Sequence, residues 1–262
     1  MIDIRPFDGL GHADHGWLDA RHHFSFASYH DPARMGWGAI RVWNDDTIAA
    51  RKGVDPHPHN DMEIITFVRS GAITHRDSMG NEGRTGAGDV QGMSAGSGVV
   101  HAEYNLEDEA TTLFQIWIIP DNRGGQPHWG QREFPRGERS GKWVILASGD
   151  PEGDDALPIR ADARVMAATI PAGSTISYEA DPTRHQYLVA PVGQVRVNGI
   201  SAQPRDGIAI TGETTIVVEA VDDAEIGRRP PAQKAGHFAP PGKCPKNKHP
   251  GQRPGCSMMR NA

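Results

Sequence analysis

Short apolar runs, each closed by a glycine or proline turn, follow one another through most of this chain. "IITFVRSG" ends at Gly71, "AITHRD" follows at once, and "TTLFQIWIIP" stops at Pro120. Residues 121–141 are polar and glycine-rich, as a connection would be. Beyond them come "WVILAS", "ARVMAATI", "STISYEA", "QYLVAPV", "QVRVNG", "DGIAIT" and "TTIVVEA", with no sustained helical period from 142 to 220. Runs of this length between turn residues are strand signals, so the chain is predicted to be all-β. An internal echo narrows the choice. "TFVRSGAITHRDSMG" with "GAGDVQGMSAGSG" parallels "YLVAPVGQVRVNG" with "QPRDGIAITGETT", and Gly193 stands 122 positions after Gly71. Two copies of one antiparallel, jelly-roll-like β-barrel are the economical reading. The predicted layout is a first barrel over residues 1–130, a second over 131–230, and a basic Pro/Gly-rich tail over 231–262.

Composition removes several function classes. With 37% hydrophobic and 23% charged residues, the chain has the make-up of a folded domain. No stretch reaches the ~20 apolar residues of a membrane helix, and the opening "MIDIRPFDGLGHADHG" lacks the order of a secretory signal. A net charge of −6 gives no reason to expect direct nucleic-acid binding. The 2 cysteines, Cys244 and Cys256, both lie in the tail, so the body is not built on disulfides and a cytoplasmic location is expected. His237 and His249 accompany them, but spacings of six, four and six residues match no familiar zinc finger. A flexible basic tail is the expectation there.

The 13 histidines are the unusual figure. "DPHPHNDMEIITF" places His57 and His59 two apart, so on a strand they share a face. "GVVHAEYN" does the same for His101 and Glu103. Facing pairs on neighbouring strands can converge on one cation, with three imidazoles and a carboxylate as ligands. A lone His-x-His is ordinary on a polar surface; its pairing with His-x-Glu favours a metal site. The corresponding segments of the second half, near "YEADP" and "IVVEA", contain no histidine, so metal is predicted in the first barrel only. Four protein ligands leave one or two open positions on a five- or six-coordinate ion, which suits catalysis more than pure structure.

These segments resemble the pirin family of the cupin superfamily. "HRDSMGN" and "DVQGMSAGSGVVHAE" carry the resemblance, and "HHFSFASYHDP" and "IRVWNDD" extend it toward the N-terminus. It implies a bicupin with one mononuclear metal in the N-terminal barrel, held by His57, His59, His101 and Glu103. It favours Fe(II), while copper, nickel, cobalt, manganese and zinc are all compatible with the donor set. It also implies quercetin 2,3-dioxygenase activity, in which dioxygen opens a flavonol ring with loss of carbon monoxide. Glu103 is then the natural base for the flavonol hydroxyl. The chain departs from the general cupin pattern at Glu63, which occupies the usual first-motif carboxylate position. By alternation Glu63 is expected on the same side as His57 and His59, behind the ligands or as a lesser ligand. Ser94 replaces the usual proline.

For the substrate pocket the candidates are Gln115, the one polar residue in "LFQIWII", with Met93 and Glu63; Phe24 and Phe26 are further candidates or ordinary core. His22 and His23 are expected on the surface or behind the ligands. Two rival readings share the same residues: a metal- or redox-dependent regulator that binds a protein partner, and a structural bicupin.

Overall fold

The apolar runs do form strands. In the computed structural model, which describes residues 1–134 and 139–226, 22 strands stand beside one short helix, Pro151–Asp154, and two 3-10 turns. The predicted all-β class is what the chain adopts.

Strand Glu63–Ser70 is central to the first half. It pairs antiparallel with Thr111–Ile118 on one side and Val90–Ser94 on the other. The seven-stranded sheet continues through Ile40–Ile48, Leu18–His22 and Gly11–Asp14 at one end and His128–Arg132 at the other. "EIITFVRS" is apolar almost throughout because both of its faces are covered. Ile64 and Val68 face inward with Ile73, Val99 and Leu113. Ile65 and Phe67 face the opposite way, onto Leu146, Ala147 and Leu157 of the second half. Each such fully buried side chain contributes about 1.5–3 kcal/mol.

Against the inward face lies a four-stranded sheet in the order Lys52–His59, Val99–Asn105, Ala72–Asp77, Glu82–Gly86. The second half repeats the theme. Its core of Ile170, Leu188, Val195, Val197, Ile208, Ile210 and Val218 is enclosed by short sheets, and Ile2 and Ile4 of the N-terminal strand pack onto it. That strand, Ile2–Arg5, pairs with Gly207–Ile210. The sheets of each half face one another without joining edge to edge, so the predicted barrels are open, sandwich-like versions of the cupin architecture. Among the described residues, edge strands such as Gly11–Asp14 and His128–Arg132 pair on one side only.

The sequence echo has a structural counterpart. Gly71 (φ 72°) and Gly193 (φ 77°) each stand where the chain leaves one sheet for another, in a conformation that a Cβ disfavours. A buried ion cluster ties the halves: Asp45, fully buried, accepts from Arg69 and, at 2.6 Å, from Arg205 Nε. The tail with His237, Cys244, His249 and Cys256 lies outside the described residues. No helix among the described residues is long and apolar enough to cross a membrane.

Candidate metal centre

Strand Val99–Asn105 lies between Lys52–His59 and Ala72–Asp77. Its register sets His101 opposite His57 and Val99 opposite His59. Opposed residues of an antiparallel pair share a face, so three imidazoles meet inside the sandwich. Ring centroids are 4.5 Å apart for His57 and His101, 4.8 Å for His57 and His59, and 5.0 Å for His59 and His101. The register shifts between His101 and Glu103, with the extra residue on the Lys52–His59 strand. Pro56 sits in that bulge, where it has no N–H to offer the ladder. Glu103 lies opposite His75 on the other neighbouring strand. Two groups of potential ligand atoms result, His57–His59–His101 and His75–His101–Glu103, each with its atoms within 4.8 Å of one another.

The nitrogens are prepared for a cation. His57 Nδ1 is 2.8 Å from the carbonyl oxygen of Asp55, which can only accept, so Nδ1 carries the hydrogen and Nε2 the lone pair. His101 Nε2 is buried and has no hydrogen-bond partner. Burial, then the neighbouring His57, His59 and His75, pushes the His101 pKa down to about 3. Burial and His57 push that of His59 down to about 4. Both rings are therefore neutral near pH 7, as metal ligation requires. Neutral imidazoles that converge on an unpartnered buried nitrogen fit a divalent cation.

Glu103 occupies the middle of a polar belt. Across the opposite sheet, Gln131, Gln91, Thr66, Gln115, Asn44 and His22 stand in register as one row. Three of them donate to the carboxylate: Gln91 Nε2 at 2.6 Å and Thr66 Oγ1 at 3.3 Å to Oε1, Gln115 Nε2 at 2.8 Å to Oε2. Trp117 Nε1 donates to Gln115 Oε1 at 3.1 Å and so fixes which way that amide points. Burial pushes the Glu103 pKa up to about 7, against the lowering effect of those three donors. Oε2 carries a single donor and keeps a lone pair free.

Comparison with known proteins identifies the family. The family model described as pirin matches residues 4–118, and one described as a quercetinase C-terminal cupin domain matches residues 145–226. A pirin-like protein of Caulobacter vibrioides is 62% identical over 226 residues, covering 86% of this chain and 97% of the relative. The chain belongs to the pirin family. Another relative, named quercetin 2,3-dioxygenase, from Escherichia coli, is 40% identical over 86% of this chain and 96% of its own length. The bacterial pirin YhhW of Escherichia coli, solved in complex with nickel(II), superposes with a TM-score of 0.81 at 39% identity, covering 86% of this chain and 96% of that one.

The remaining sequence-predicted residues of this pirin are scattered. Met93 packs with Ile64, Ala95 and Val99, beside Trp117 and Trp129, inside the same sandwich as the histidines. Glu63 does not share the histidines' side. It points to the other face of its sheet, accepts from Ser94 Oγ at 2.8 Å and is near Arg160. The chain changes sheets between His59 and Glu63, so alternation does not carry across that turn. Phe24 packs on Tyr187, on that other side, whereas Phe26 meets Trp117 edge-on at 5.3 Å. His22 and His23 are both buried, not surface residues: His22 bonds Asn44 in the belt and His23 bonds Tyr187.

Sequence reasoning missed His75, Thr66, Gln91 and Trp129. Trp117 meets the His59 ring edge-on at 4.9 Å, and Trp129, from the stretch expected to be a polar connection, stacks on His75. The available signal was in "AITHRD", where His75 and Asp77 share a face by the same two-residue period. A cavity of about 1050 Å³ lies on the far side of the seven-stranded sheet among Trp43, Ile116, Arg160 and Tyr187, and touches none of the clustered histidines. A recess of about 330 Å³ opens at His59, with Pro58, Asn60, Ser78, Val99 and Val100.

Proposed function

We propose that this pirin is a mononuclear-metal dioxygenase that opens the ring of a quercetin-like flavonol. In this reading His57, His59, His101 and Glu103 hold one cation in the N-terminal half, residues 1–130, and the half over 131–230 is structural. The observation that carries it is the convergence of three imidazole nitrogens, one of them buried and unpartnered, beside a buried carboxyl. Bound there, a divalent metal supplies positive charge that acidifies a substrate hydroxyl and makes dioxygen chemistry accessible. The rest is done by the chain's own groups. Glu103 would loosen from the cation and receive the proton of the flavonol 3-hydroxyl on Oε2, while Gln91, Thr66 and Gln115 hold the carboxyl in place as it changes charge. His59 lines a recess at the small end of the ~300–1,000 Å³ typical of ligand pockets, and Trp117 meets the His59 ring edge-on.

Support for the substrate class comes from the Escherichia coli relative named quercetin 2,3-dioxygenase. Fe(II) is the proposed native ion, and nickel(II), present in YhhW, is the first alternative to test. The reducing cytoplasm, which keeps Fe(II) available, is the proposed location. The test is anaerobic reconstitution of the full chain with Fe(II), and separately with Ni(II) and Cu(II), followed by quercetin, dioxygen and gas-phase detection of carbon monoxide. One carbon monoxide per flavonol consumed is expected with at least one ion. Stoichiometric cation binding without carbon monoxide from any of them would overturn the enzyme and leave the metal-dependent regulator.

A further inference from the structure

The motif "HRDSMGN" has no role among the proposed ligands, yet two of its side chains lead directly to one of them. His75 Nε2 is 3.0 Å from Asp77 Oδ2, and His75 Nδ1 is 3.4 Å from His101 Nδ1. A carboxylate oxygen only accepts, so the His75 Nε2 position carries a hydrogen. In a neutral ring the other nitrogen, Nδ1, then holds a lone pair. The hydrogen between the two rings must accordingly sit on His101 Nδ1, and the lone pair of His101 falls on Nε2. That is the buried nitrogen without a partner.

The surroundings hold each member of this chain still. Trp129 stacks on the His75 ring at 4.8 Å with an interplanar angle of 8°. Asp77 Oδ1 accepts from Met79 N at 2.9 Å and Asn81 N at 3.0 Å, and Oδ2 accepts from Asn81 Nδ2 at 2.9 Å. Ser78 Oγ accepts from Val100 N at 3.1 Å, which fastens the turn to the strand that bears His101. Both ring nitrogens of His75 are engaged, so it is not free to ligate.

We propose that Asp77 and His75 form a carboxylate–imidazole–imidazole relay that locks His101 in the tautomer with Nδ1–H and an open Nε2, making both of them positioning residues for the cation. The proposal rests on the reading that His101 is a ligand, and deepens it. The opening variant is Asp77→Asn in the full chain. Its amide oxygen can still accept from Met79 and Asn81, and Asn81 can rotate to accept from the new amide. Toward His75, however, the amide now donates. Each tautomer down the relay then reverses, and a hydrogen arrives on His101 Nε2.

Loss of such outer partners lowers metal affinity roughly 10–100-fold. Calorimetric titration with Ni(II) is therefore expected to give a Kd at least ~10-fold weaker for Asp77→Asn, with the metal-free thermal midpoint close to that of the unsubstituted chain. His75→Phe, which keeps the stack on Trp129 but breaks the relay, should weaken Ni(II) similarly. Wild-type affinity in both folded variants overturns the proposal. Nitrogen-15 NMR of the unsubstituted, metal-free chain reads the same point without mutation: Nδ1–H on His101 and Nε2–H on His75 are expected, and Nε2–H on His101 overturns it. Failure of the ligand reading looks different, because His101→Ala would then leave Ni(II) binding unchanged.

Discussion

His23 gives the chain a titratable weak point remote from the metal centre. Its ring is fully buried just past strand Leu18–His22, with Nδ1 2.9 Å from the Tyr187 hydroxyl and Nε2 without a partner. Burial, reinforced by Arg5, Arg34, Arg205 and His22, pushes its pKa from 6.5 down to about 3. In the unfolded chain the same histidine takes a proton near its ordinary value of about 6.5. The unfolded state therefore binds the extra proton between those two values, and native stability must fall with pH across that window. The contribution is fully present above about pH 6.5 and is lost as pH drops toward 3. One pKa unit corresponds to ~1.4 kcal/mol, so at about pH 5 the folded state gives up roughly 2 kcal/mol through this one ring. The perturbation is His23→Asn, which keeps a polar group near the Nδ1 position for Tyr187 and removes the titration. The assay is urea unfolding of metal-free protein at about pH 7.5 and pH 5, comparing the pH-dependent loss in the two proteins. Histidines common to both, including His59 and His101, cancel in that comparison. The unsubstituted chain should lose about 2 kcal/mol more than the variant. Equal losses would mean that His23 is not held neutral by its surroundings, and the reasoning would be refuted.

Further substitutions test three separate parts of the structure. Glu103→Gln should keep the pocket but lower flavonol turnover by ~10²–10⁴-fold, as loss of a general base does; an undiminished rate would remove the carboxyl from the reaction. Gly71→Ala forces a Cβ onto a positive φ and against Thr111, and should cost at least ~1–3 kcal/mol in chemical denaturation. Gly80→Ala, at φ 92° but with open space around the Cβ, should cost less, and the reverse order would refute the packing account. Asp45→Asn leaves Arg69 and Arg205 without their carboxylate and should destabilise by about 3–5 kcal/mol, part of which Arg69→Met in the same chain should restore; a loss under ~1 kcal/mol would show the cluster to be dispensable.

The limits of sequence reading here follow from what a two-residue period can and cannot report. Within one sheet it works. His57 with His59, and His101 with Glu103, project together because each pair lies on one strand, and both strands belong to the same four-stranded sheet. Across a change of sheet it fails. Glu63 is an even number of residues from His57 and His59, but the turn at Asn60–Met62 includes Asp61 at φ 49° and delivers the chain to the opposite layer. The count of positions then says nothing about direction, and Glu63 points away. His23 shows the same limit at longer range: nothing near it in sequence signals burial, because its partner Tyr187 is 164 positions away. Gln115 was visible as an odd polar residue in an apolar run, yet its meaning depends on Glu103, which reaches it from the facing sheet. Glu103 therefore has two kinds of neighbour. Its place beside His101 and His75 is set by strand register, whereas its hydrogen bonds to Gln91, Thr66 and Gln115 exist only because two layers close on each other. The candidate cluster can be read from local pattern; the environment that moves the Glu103 pKa to about 7 is a property of the packed sandwich.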